Sequence, residues 1–309
     1  MRLYHGVKPF IRTKTTHHLK FNLISIRLFH SSTSTMAVPV HKIAQEGFGT
    51  GTNELYDRAR PSYQSVVLSH IRKTVRGSQP LNIVELGAGT GIFTRALFAH
   101  PEWKDSVAHL RAVEPSEGMR DVFVKTVQDS RASAVEGTFE HTNVEDGWAD
   151  LVVIAQAFHW CPDYDKASAE FARILKPNGI VVLVWNLEDR EGAQWVAQLR
   201  DTYEKFENGT PQFRLDLWRA TFTTPSYTAN FEPPKEEKWK WTLQATRDLV
   251  VDRVSSKSYV AILPDATKEQ VQKDVKTIVD RGDGLVWVEK EKGVFEWPYY
   301  TLAVTWNKK

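Results

Sequence analysis

Apolar and polar positions form two kinds of pattern between residues 81 and 186. Five short apolar runs predict buried strands, at about 81–86, 109–113, 133–135, 149–155 and 180–185. The segments between these runs carry apolar residues three or four positions apart, which predicts helices. Strands that alternate with helices predict an α/β fold, built on a doubly wound, mostly parallel sheet.

Capping residues mark the ends of several predicted helices. Ser116 and Asp163 each precede a helical pattern, and their side chains can accept hydrogen bonds from the first free backbone N–H groups. Pro177-Asn178-Gly179 predicts the end of the helix before the fifth strand, which then begins at about residue 180. Asn53 and Pro61 predict the starts of two helices ahead of the first strand.

The pattern changes after residue 186. Helices are predicted at about 191–206, 246–259 and 265–281, and short strands at 285–288, 294–297 and 300–306. Lys292-Gly293 suits a turn between the first two of these strands. Many of the eleven tryptophans follow residue 185, so both an aromatic-lined pocket and ordinary core packing remain open.

The first 45 residues have a different composition from the rest of the chain. They contain no Asp or Glu, several Lys and Arg, and a Ser/Thr cluster at 31–35, which is typical of a mitochondrial transit peptide. The run 27–32 also looks like a mitochondrial processing site. The alternatives are a disordered tail, or a cytoplasmic product translated from Met36. We predict a targeting-like or disordered segment over residues 1–40.

Composition limits the classes of partner. The chain has 309 residues, 41% of them hydrophobic, and a net charge of +2. That charge gives no electrostatic reason to expect nucleic acid or an anionic membrane as partner. No apolar run reaches the roughly 18 residues that a membrane span needs. Cys161 is the one cysteine, which excludes an intramolecular disulfide bond and a cysteine zinc cluster, and no other group has metal-ligand spacing.

The run VELGAGTG, residues 84–91, reads as a strand end, a glycine turn and a helix start. Its glycines follow G-x-G-x-G, whereas the dinucleotide fingerprint is G-x-G-x-x-G and would need glycine where Ile92 stands. No Lys follows Gly91, so this is not a phosphate loop. Glu85 beside the turn would repel a pyrophosphate but favours a ligand with an ammonium and a sulfonium, such as S-adenosylmethionine (SAM).

A second acid supports this interpretation. Glu114 ends the second predicted strand, 23 residues after Gly91 (114 − 91), close to the roughly 20 expected for an acid that binds ribose hydroxyls. The turn at 87–89, Glu114, Thr138 and the run 156–159 all follow strand ends. Because ligands bind at the carboxyl ends of such strands, these four loops are expected to converge on one crevice.

Four strings in order make the chain resemble the class I SAM-dependent methyltransferases, in the type-11 domain group that includes fungal trans-aconitate-type enzymes. The strings are VELGAGTG, AVEPSEGM, DLVVIAQAFHW and ILKPNGIVVLVW. The resemblance covers about residues 47–190. It implies methyl transfer from SAM to a small molecule, and a seven-stranded Rossmann-like sheet with a C-terminal antiparallel hairpin and a helical substrate cover.

The resemblance also divides the chain. We expect a SAM-binding core with N-terminal closing helices at 41–186, a helical, aromatic-rich substrate cover at 187–284, and terminal strands that complete the sheet at 285–309. The run 56–63 resembles the Y-x-x-x-R-P-x-Y that closes over the methionine end of the cofactor in this group. A surface helix whose arginine pairs with an acid is the alternative for that run.

The residues that the resemblance implies as cofactor contacts are Tyr56, Arg60, Glu85, Gly87, Ala88, Gly89, Gly91, Glu114, Pro115, Ser116, Thr138, Phe139 and Gln156. Thr138 departs from the family, because many relatives have there an acid that accepts the adenine amino group. Glu140 or Asn143 is a possible substitute for it. Cys161 has no motif for nucleophilic work nearby.

His159 and Trp160 are the predicted acceptor contacts, and His159 is the catalytic candidate. Relatives with His-Trp here include enzymes that methylate small carboxylic acids. A protonated His159 would orient a carboxylate, whereas a neutral His159 could take the proton of a hydroxyl acceptor. A structural histidine is the third possibility, and Trp160 more simply packs.

Three functions remain open from the sequence. The first is a SAM-dependent methyltransferase acting on a small carboxylic acid or hydroxylated metabolite. The second is a catalytically inactive SAM-binding scaffold, and the third is an NAD-dependent oxidoreductase, which the glycine spacing disfavours. The acceptor and the oligomeric state are not encoded in any pattern of the sequence.

Overall fold

The computed structural model describes residues 53–76 and 79–309. Its centre is one mixed sheet, with strands in the order β3-β2-β1-β4-β5-β8-β6 and a short strand, β7, that pairs with β8. The strands are β1 Leu81–Leu86, β2 Val107–Val113, β3 Ala132–Val135, β4 Ala149–Ala155, β5 Leu175–Glu188, β6 Lys235–Ala245, β7 Val286–Glu289 and β8 Val294–Asn307.

The first five strands are parallel, with β1 in the middle. Ile83 of β1 lies opposite Leu110 of β2 on one side and Leu151 of β4 on the other. β8 runs antiparallel between β5 and β6. The main path therefore has seven strands, mostly parallel with antiparallel C-terminal strands, and the predicted α/β fold is confirmed.

Helices cover both faces of this sheet. They are α1 Asn53–Ala59, α2 Ser65–Thr74, α3 Ile92–Ala99, α4 Glu117–Thr126, α5 Tyr164–Ile174, α6 Gln194–Glu204, α7 Pro225–Asn230, α8 Arg247–Ser255, α9 Ser258–Ala261 and α10 Asp265–Arg281. Two predicted caps are confirmed: Ser116 Oγ accepts from Met119 N at 3.3 Å, and Asp163 Oδ1 accepts from Lys166 N at 3.1 Å. Asn53 is the first residue of α1, but its Oδ1 makes no capping hydrogen bond among the described residues.

Three apolar cores hold these layers together. One face of the sheet packs against α5 around Phe171, and the other packs against α2 and α3 around Phe93. The third core joins α6, α8 and α10 to the far ends of β6 and β8, around Trp297. Four of the tryptophans after residue 184 are fully buried, which favours core packing over an aromatic pocket for them: Trp185, Trp195, Trp218 and Trp297.

The predicted substrate cover is not purely helical. Residues 235–245, inside the segment predicted as cover, form the edge strand β6, which pairs with β8 over its whole length. The C-terminal hairpin expected for the sheet is therefore split, because the helices α8 to α10 lie between its two strands in sequence. The small hairpin that closes at Gly293 joins β7 to β8 instead.

Several element boundaries differ from the predictions. α2 begins at Ser65 rather than at Pro61, and the helix expected over 246–259 is broken after Ser255 into α8 and α9. β5 starts directly after α5 and includes Pro177–Gly179, with an irregular register there. The strand pieces predicted at 294–297 and 300–306 are one strand. Pro298 interrupts the pattern in the sequence. It lies just outside the part of β8 that pairs with β5, which ends at Tyr299, so its missing N–H is not needed for that pairing.

The targeting-like segment 1–40, with the alternative start Met36, lies outside the described residues, as do residues 41–52. Within the described residues, no helix is both long and apolar enough to cross a membrane.

Candidate active site

The glycine turn after β1 is shaped for close backbone approach. Gly87 has φ +66°, and a Cβ placed on it would lie 2.5 Å from Cβ of Ala157. Gly89 has φ +56°, but a Cβ there would meet nothing within 4 Å. The turn therefore presses against the loop after β4 at Gly87 and faces open space at Gly89, where a ligand can reach the backbone.

Glu114 lies at the end of β2 beside this turn. Its Oε2 accepts a hydrogen bond from Gly89 N, and its Oε1 accepts one from Ser116 N, both at 2.9 Å. The side chain is 8% exposed, and this burial raises the pKa of Glu114, although the two backbone donors oppose the shift. Each oxygen keeps a second lone pair, so Glu114 is fixed in place and can still accept from a ligand hydroxyl.

Glu85, under the turn, is buried more deeply. It is 1% exposed, and Thr94 Oγ1 donates a hydrogen bond to it. Burial raises the pKa of Glu85 to about 8, with the Thr94 hydrogen bond opposing. The carboxyl is therefore mostly neutral at pH 7 in the free protein, and a cationic ligand group nearby would favour its ionised form.

Helix α1 lies across the turn. Asp57 Oδ1 accepts from Thr90 Oγ1 at 2.6 Å and pairs with Arg95 Nη2 at 2.7 Å. Directly after this helix, the Arg60 guanidinium stacks on the Tyr56 ring, 4.4 Å from its centroid. These contacts hold the predicted Y-x-x-x-R-P-x-Y segment over the glycine turn.

A first cavity forms between α1, the turn and the end of β4. Among its described lining residues are seven of the predicted cofactor contacts: Tyr56, Arg60, Glu85, Gly87, Ala88, Gly89 and Gln156. Sequence reasoning missed the other lining residues, which are Pro61, Tyr63, Thr90, Ile92, Phe93, Ala155 and Arg253. The run 56–63 and the helix start at 90–93 were the available signals for most of them. Gly91 caps α3 at φ +83° and is not part of this lining.

The loop after β3 borders the same turn. The Phe139 ring comes within 3.7 Å of the Cβ position of Gly87 and packs edge-on against Phe158. Thr138 Oγ1 and Glu140 Oε1 are buried and have no hydrogen-bond partner among the described residues. Asn143 is exposed and donates to Glu136 O at 3.2 Å. Of the two suggested substitutes for the missing acid, Glu140 is the one with a free buried oxygen.

Gln156 joins two cavities. It follows β4 with φ +61°, a backbone conformation that is uncommon for residues other than glycine and often marks functional sites. Its Nε2 donates to Asn186 O at 2.7 Å, which fixes the side chain between β4 and β5. It lines the first cavity and also a second one, together with Tyr56, Arg60 and Arg253.

The second cavity is where the predicted acceptor contacts lie. Besides the four shared residues, its lining consists of His159, Trp160, Asn186, Leu187, Glu188, Gln212, Phe213, Lys257, Ser258 and Tyr259. Core strands supply one wall, and the segments 212–213 and 253–259 of the cover supply the other. His159 and Trp160 belong to a 3₁₀ turn over Phe158–Trp160.

His159 has a defined protonation state and tautomer. Burial, with a smaller contribution from Arg60, lowers the pKa of His159 to about 3, so the ring is neutral at pH 7. The protonated His159 expected as one alternative is therefore absent under these conditions. Trp185 Nε1 lies 3.4 Å from Nδ1 of His159, and an indole nitrogen can only donate. Nδ1 thus accepts and Nε2 carries the proton.

A charged cluster forms the far wall of the second cavity. Glu188 Oε1 pairs with Arg253 Nη2 at 3.0 Å and with Lys257 Nζ at 3.2 Å. Burial alone would raise the pKa of Glu188, but the two cations hold it well below its usual range. Burial lowers the pKa of Lys257 to about 7, although Glu188 opposes this shift. Sequence reasoning missed all three residues, and the four-residue spacing of 253 and 257 in a predicted helix was the one available signal.

The remaining predictions concern residues that do not line either cavity. Pro115 and Ser116 follow Glu114, at the start of α4. Cys161 is buried, and burial raises the pKa of its thiol well above its usual value. Over the described residues, no group of His, Cys, Asp and Glu side chains is placed to hold a metal ion.

Comparisons with known proteins agree with this geometry. A family model described as a methyltransferase domain matches residues 84–183. A protein of Schizosaccharomyces pombe, described as an uncharacterised methyltransferase-like protein, is 30% identical over 224 residues, which are 72% of this chain and 82% of that protein. A malonyl-[acyl-carrier protein] O-methyltransferase of Methylococcus capsulatus is 32% identical over 108 residues, 33% of this chain and 36% of that protein.

A solved structure shares the architecture. The YcgJ protein of Bacillus subtilis aligns with a TM-score of 0.50 at 18% identity, over 80% of this chain and 99% of that one. At this identity the likeness shows the fold alone.

Proposed function

The chain belongs to the class I SAM-dependent methyltransferases, and from this premise we propose that it methylates a carboxylate oxygen of a small organic acid. SAM is its cosubstrate, and supplies a methyl group on a positively charged sulfur. Trans-aconitate, the type of acceptor that the sequence suggested, is one member of this class of small organic acids. A hydroxylated metabolite is the alternative acceptor.

The described residues fit SAM. The open face of Gly89 lies beside Glu114, whose fixed oxygens would accept the ribose hydroxyls. Glu85 would face the cationic methionine end, where Arg60 is available for the carboxylate. Thr138 Oγ1 and Glu140 Oε1, both without partners among the described residues, are available for the base. Each ligand group of the cofactor thus has a partner of suitable chemistry.

The observation that carries the choice of acceptor is the tautomer of His159. A hydroxyl acceptor must lose its proton during transfer, whereas a carboxylate is already ionised and needs no base. Because Trp185 occupies Nδ1, the proton of His159 is on Nε2, and that nitrogen can donate a hydrogen bond but cannot take a proton. We therefore assign His159 as a donor that orients an acceptor oxygen.

The other titratable groups of the cavity support the same choice. Glu188 is held ionised by two cations, and its low pKa makes it a weak base. Catalysis would then consist of positioning the two reactants and excluding water. The name of the Methylococcus capsulatus relative also places its methyl transfer on oxygen.

The compartment remains a proposal with two branches. We infer import into mitochondria for a product translated from Met1 and a cytoplasmic location for a product translated from Met36. Determining the N-terminal residue of the natural protein would separate them.

The test is a pair of variants at His159, assayed by release of S-adenosylhomocysteine with a panel of carboxylic acids and hydroxylated compounds. His159→Gln keeps an N–H donor, and we expect it to retain most of the kcat for an acid. His159→Ala removes the donor and should lower kcat by up to about tenfold, with SAM affinity unchanged. If His159 were the base, both variants would lose roughly 100-fold or more. At saturating acceptor, kcat for an acid should also stay flat between pH 6 and 8.

A further inference from the structure

We infer that Arg253, assisted by Lys257, is the receptor for an anionic group of the methyl acceptor, and therefore that this enzyme requires an acceptor that carries a carboxylate. The inference rests on the proposed methyl transfer, because it assigns the second cavity to the acceptor. It goes further by naming the residues that select the acceptor and the charge that they select.

Arg253 is a buried cation with donors to spare. Its side chain is 4% exposed, yet it lines both cavities. Nη2 pairs with Glu188 and the Tyr299 side chain also interacts with the guanidinium, whereas Nε and Nη1 are buried without a well-formed hydrogen bond among the described residues. Buried donors are normally satisfied, and a guanidinium presents its N–H groups as a planar fork that matches a carboxylate. The unpaired N–H groups on Nε and Nη1 of Arg253 are thus available to an anion.

The charge balance of the second cavity points the same way. Among the residues that the structure describes, its lining contains three basic side chains, Arg60, Arg253 and Lys257, and a single carboxylate, Glu188. Glu188 pairs with both Arg253 and Lys257 through one oxygen, and its single negative charge does not neutralise both cations. Arg60 donates through Nη2 to Ser256 O at 3.0 Å, and its Nε also has no described partner. An uncompensated positive cavity favours an anionic occupant over a neutral one.

The cofactor cannot use all of these cations. SAM has one carboxylate, and Arg60, which follows the helix over the glycine turn, lies with Tyr56 in the lining of the first cavity. Lys257 lines the second cavity but not the first. After Arg60 has met the cofactor carboxylate, Arg253 and Lys257 still face the acceptor with only Glu188 to balance them.

The two binding regions are also connected mechanically. Arg60, just after α1, donates to Ser256 O, which lies between Arg253 and Lys257 in sequence. The exposed Arg58 on α1 pairs with Asp252 on α8 at 3.1 Å. The segment over the glycine turn therefore holds the end of α8 in place beside both cavities.

The chemistry balances without another reagent. A new O–CH₃ bond forms to one carboxylate oxygen as the S–CH₃ bond breaks, and the electron pair of that bond stays on sulfur. The carboxylate becomes a neutral ester, the sulfonium becomes a neutral thioether, and no proton is transferred. A neutral ester has lost the charge that Arg253 recognises, so product release follows from the same receptor.

The experiment compares the full-length protein with Arg253→Gln, Arg253→Lys and the matched control Arg247→Gln. Arg247 lies on the same helix, but it is 49% exposed and pairs with Asp280 on the surface. The probes are benzoate, phenylacetate, the hydroxy acid mandelate, glutarate and trans-aconitate, each beside its fully amidated neutral analogue. Initial rates give KM and kcat for each probe, and calorimetry gives the SAM dissociation constant. Unfolding midpoints with S-adenosylhomocysteine and each probe report binding without turnover.

We expect at least one acid, and none of the amides, to be methylated. Arg253→Gln should raise the KM of that acid at least tenfold, with SAM affinity within twofold of the parent protein. Arg253→Lys keeps the positive charge but not the planar array of N–H groups, so its KM for the acid should lie between those of the parent protein and Arg253→Gln. This variant guards against a loss that is caused only by misfolding of the glutamine variant. Arg247→Gln should change none of these values by more than twofold.

Three results would overturn the inference: amides that react as well as acids, an acid KM unchanged in Arg253→Gln, or no acid that reacts or raises the unfolding midpoint. An equal loss of SAM affinity in Arg253→Gln would also overturn it, because Arg253 would then belong to the cofactor site. The proposed function fails separately: if a hydroxy acid is methylated on its hydroxyl and Arg253→Gln still raises its KM, the receptor stands and carboxyl methylation does not.

Discussion

The cofactor crevice and the acceptor cavity share a boundary but are built in different ways. The crevice comes from loops that directly follow β1, β2 and β4, and its polar contacts are largely made by backbone groups, as at Gly89 and Ser116. The acceptor cavity depends on charged side chains far apart in sequence: Arg60 after α1, Glu188 at the end of β5 and Arg253 on α8.

This difference separates a general function from a specific one. Backbone N–H groups and glycine turns bind the cofactor, which is common to the family. These positions can change little without loss of cofactor binding. Side chains on an added helix can change without disturbing the sheet. The crevice thus defines the donor of the methyl group, and the cavity defines its acceptor.

The largest expected effect is on the acceptor side. Glu188→Gln removes the only carboxylate between two buried cations, and breaking such a pair costs about 3–5 kcal/mol of folding stability. The control is Glu145→Gln, which breaks an exposed pair with Arg111, and we expect a much smaller loss because solvent screens that pair. Urea unfolding of both variants measures this. Similar losses in the two would mean that the cluster is not a buried charge pair.

The next effect is on the cofactor side. Gly87→Ala adds a methyl group 2.5 Å from Ala157 and should displace the turn, which weakens SAM binding by roughly 100-fold. Gly293→Ala is the control, because it has the same φ of +66° but no atom within 4 Å. It should cost about 1–2 kcal/mol of stability with SAM affinity unchanged. Calorimetric titration of both variants with SAM decides whether the contact with Ala157 or the positive φ is responsible for the loss of SAM affinity.

A smaller effect is expected at the ribose contact. Glu114→Ala should weaken SAM binding by about 1.5–3 kcal/mol, the range for hydrogen bonds to a charged group. Glu117→Ala, three residues later and exposed, serves as the matched acid and should bind SAM normally. Equal dissociation constants for Glu114→Ala and the parent protein would remove Glu114 from the cofactor site.

The smallest effect is a pH dependence on the acceptor side. The pKa of Lys257 is lowered to about 7, chiefly by burial, with Arg253, Arg60 and Arg200 also facing it and Glu188 opposing the shift. Lys257 therefore loses its charge as pH rises through 7, and kcat/KM for an acid should fall by up to about tenfold toward pH 8.5. Lys257→Arg keeps its charge and should flatten this profile. A profile that still falls in Lys257→Arg would assign the titration to another group.

Much of the fold was predictable because local patterns determine it. The five parallel strands and the caps Ser116 and Asp163 follow from apolar runs and side-chain chemistry within a few residues. β6 was missed, although Trp239, Trp241 and Leu243 alternate as a strand requires. Its charged outer positions are typical of an edge strand and obscure that pattern.

The candidate site shows the same difference between residues that local sequence reveals and residues that depend on distant parts of the chain. The glycine turn and Glu114 were recognisable because their spacing is fixed by one βαβ unit. Arg253 and Lys257 were not, since nothing near them in sequence shows that β5 brings Glu188 between them. The tautomer of His159 was likewise hidden, because it depends on Trp185, 26 residues away.

The measurement that tests the account most directly follows the methyl group itself. The full-length protein is incubated with SAM labelled with tritium in the methyl group and with a small-molecule extract, and the products are treated with alkali. A carboxyl methyl ester releases its label as volatile methanol, whereas methyl ethers and methylamines do not. The account predicts volatile label, reduced in Arg253→Gln. Label that stays non-volatile after alkali, or SAM that binds without any transfer, would contradict it.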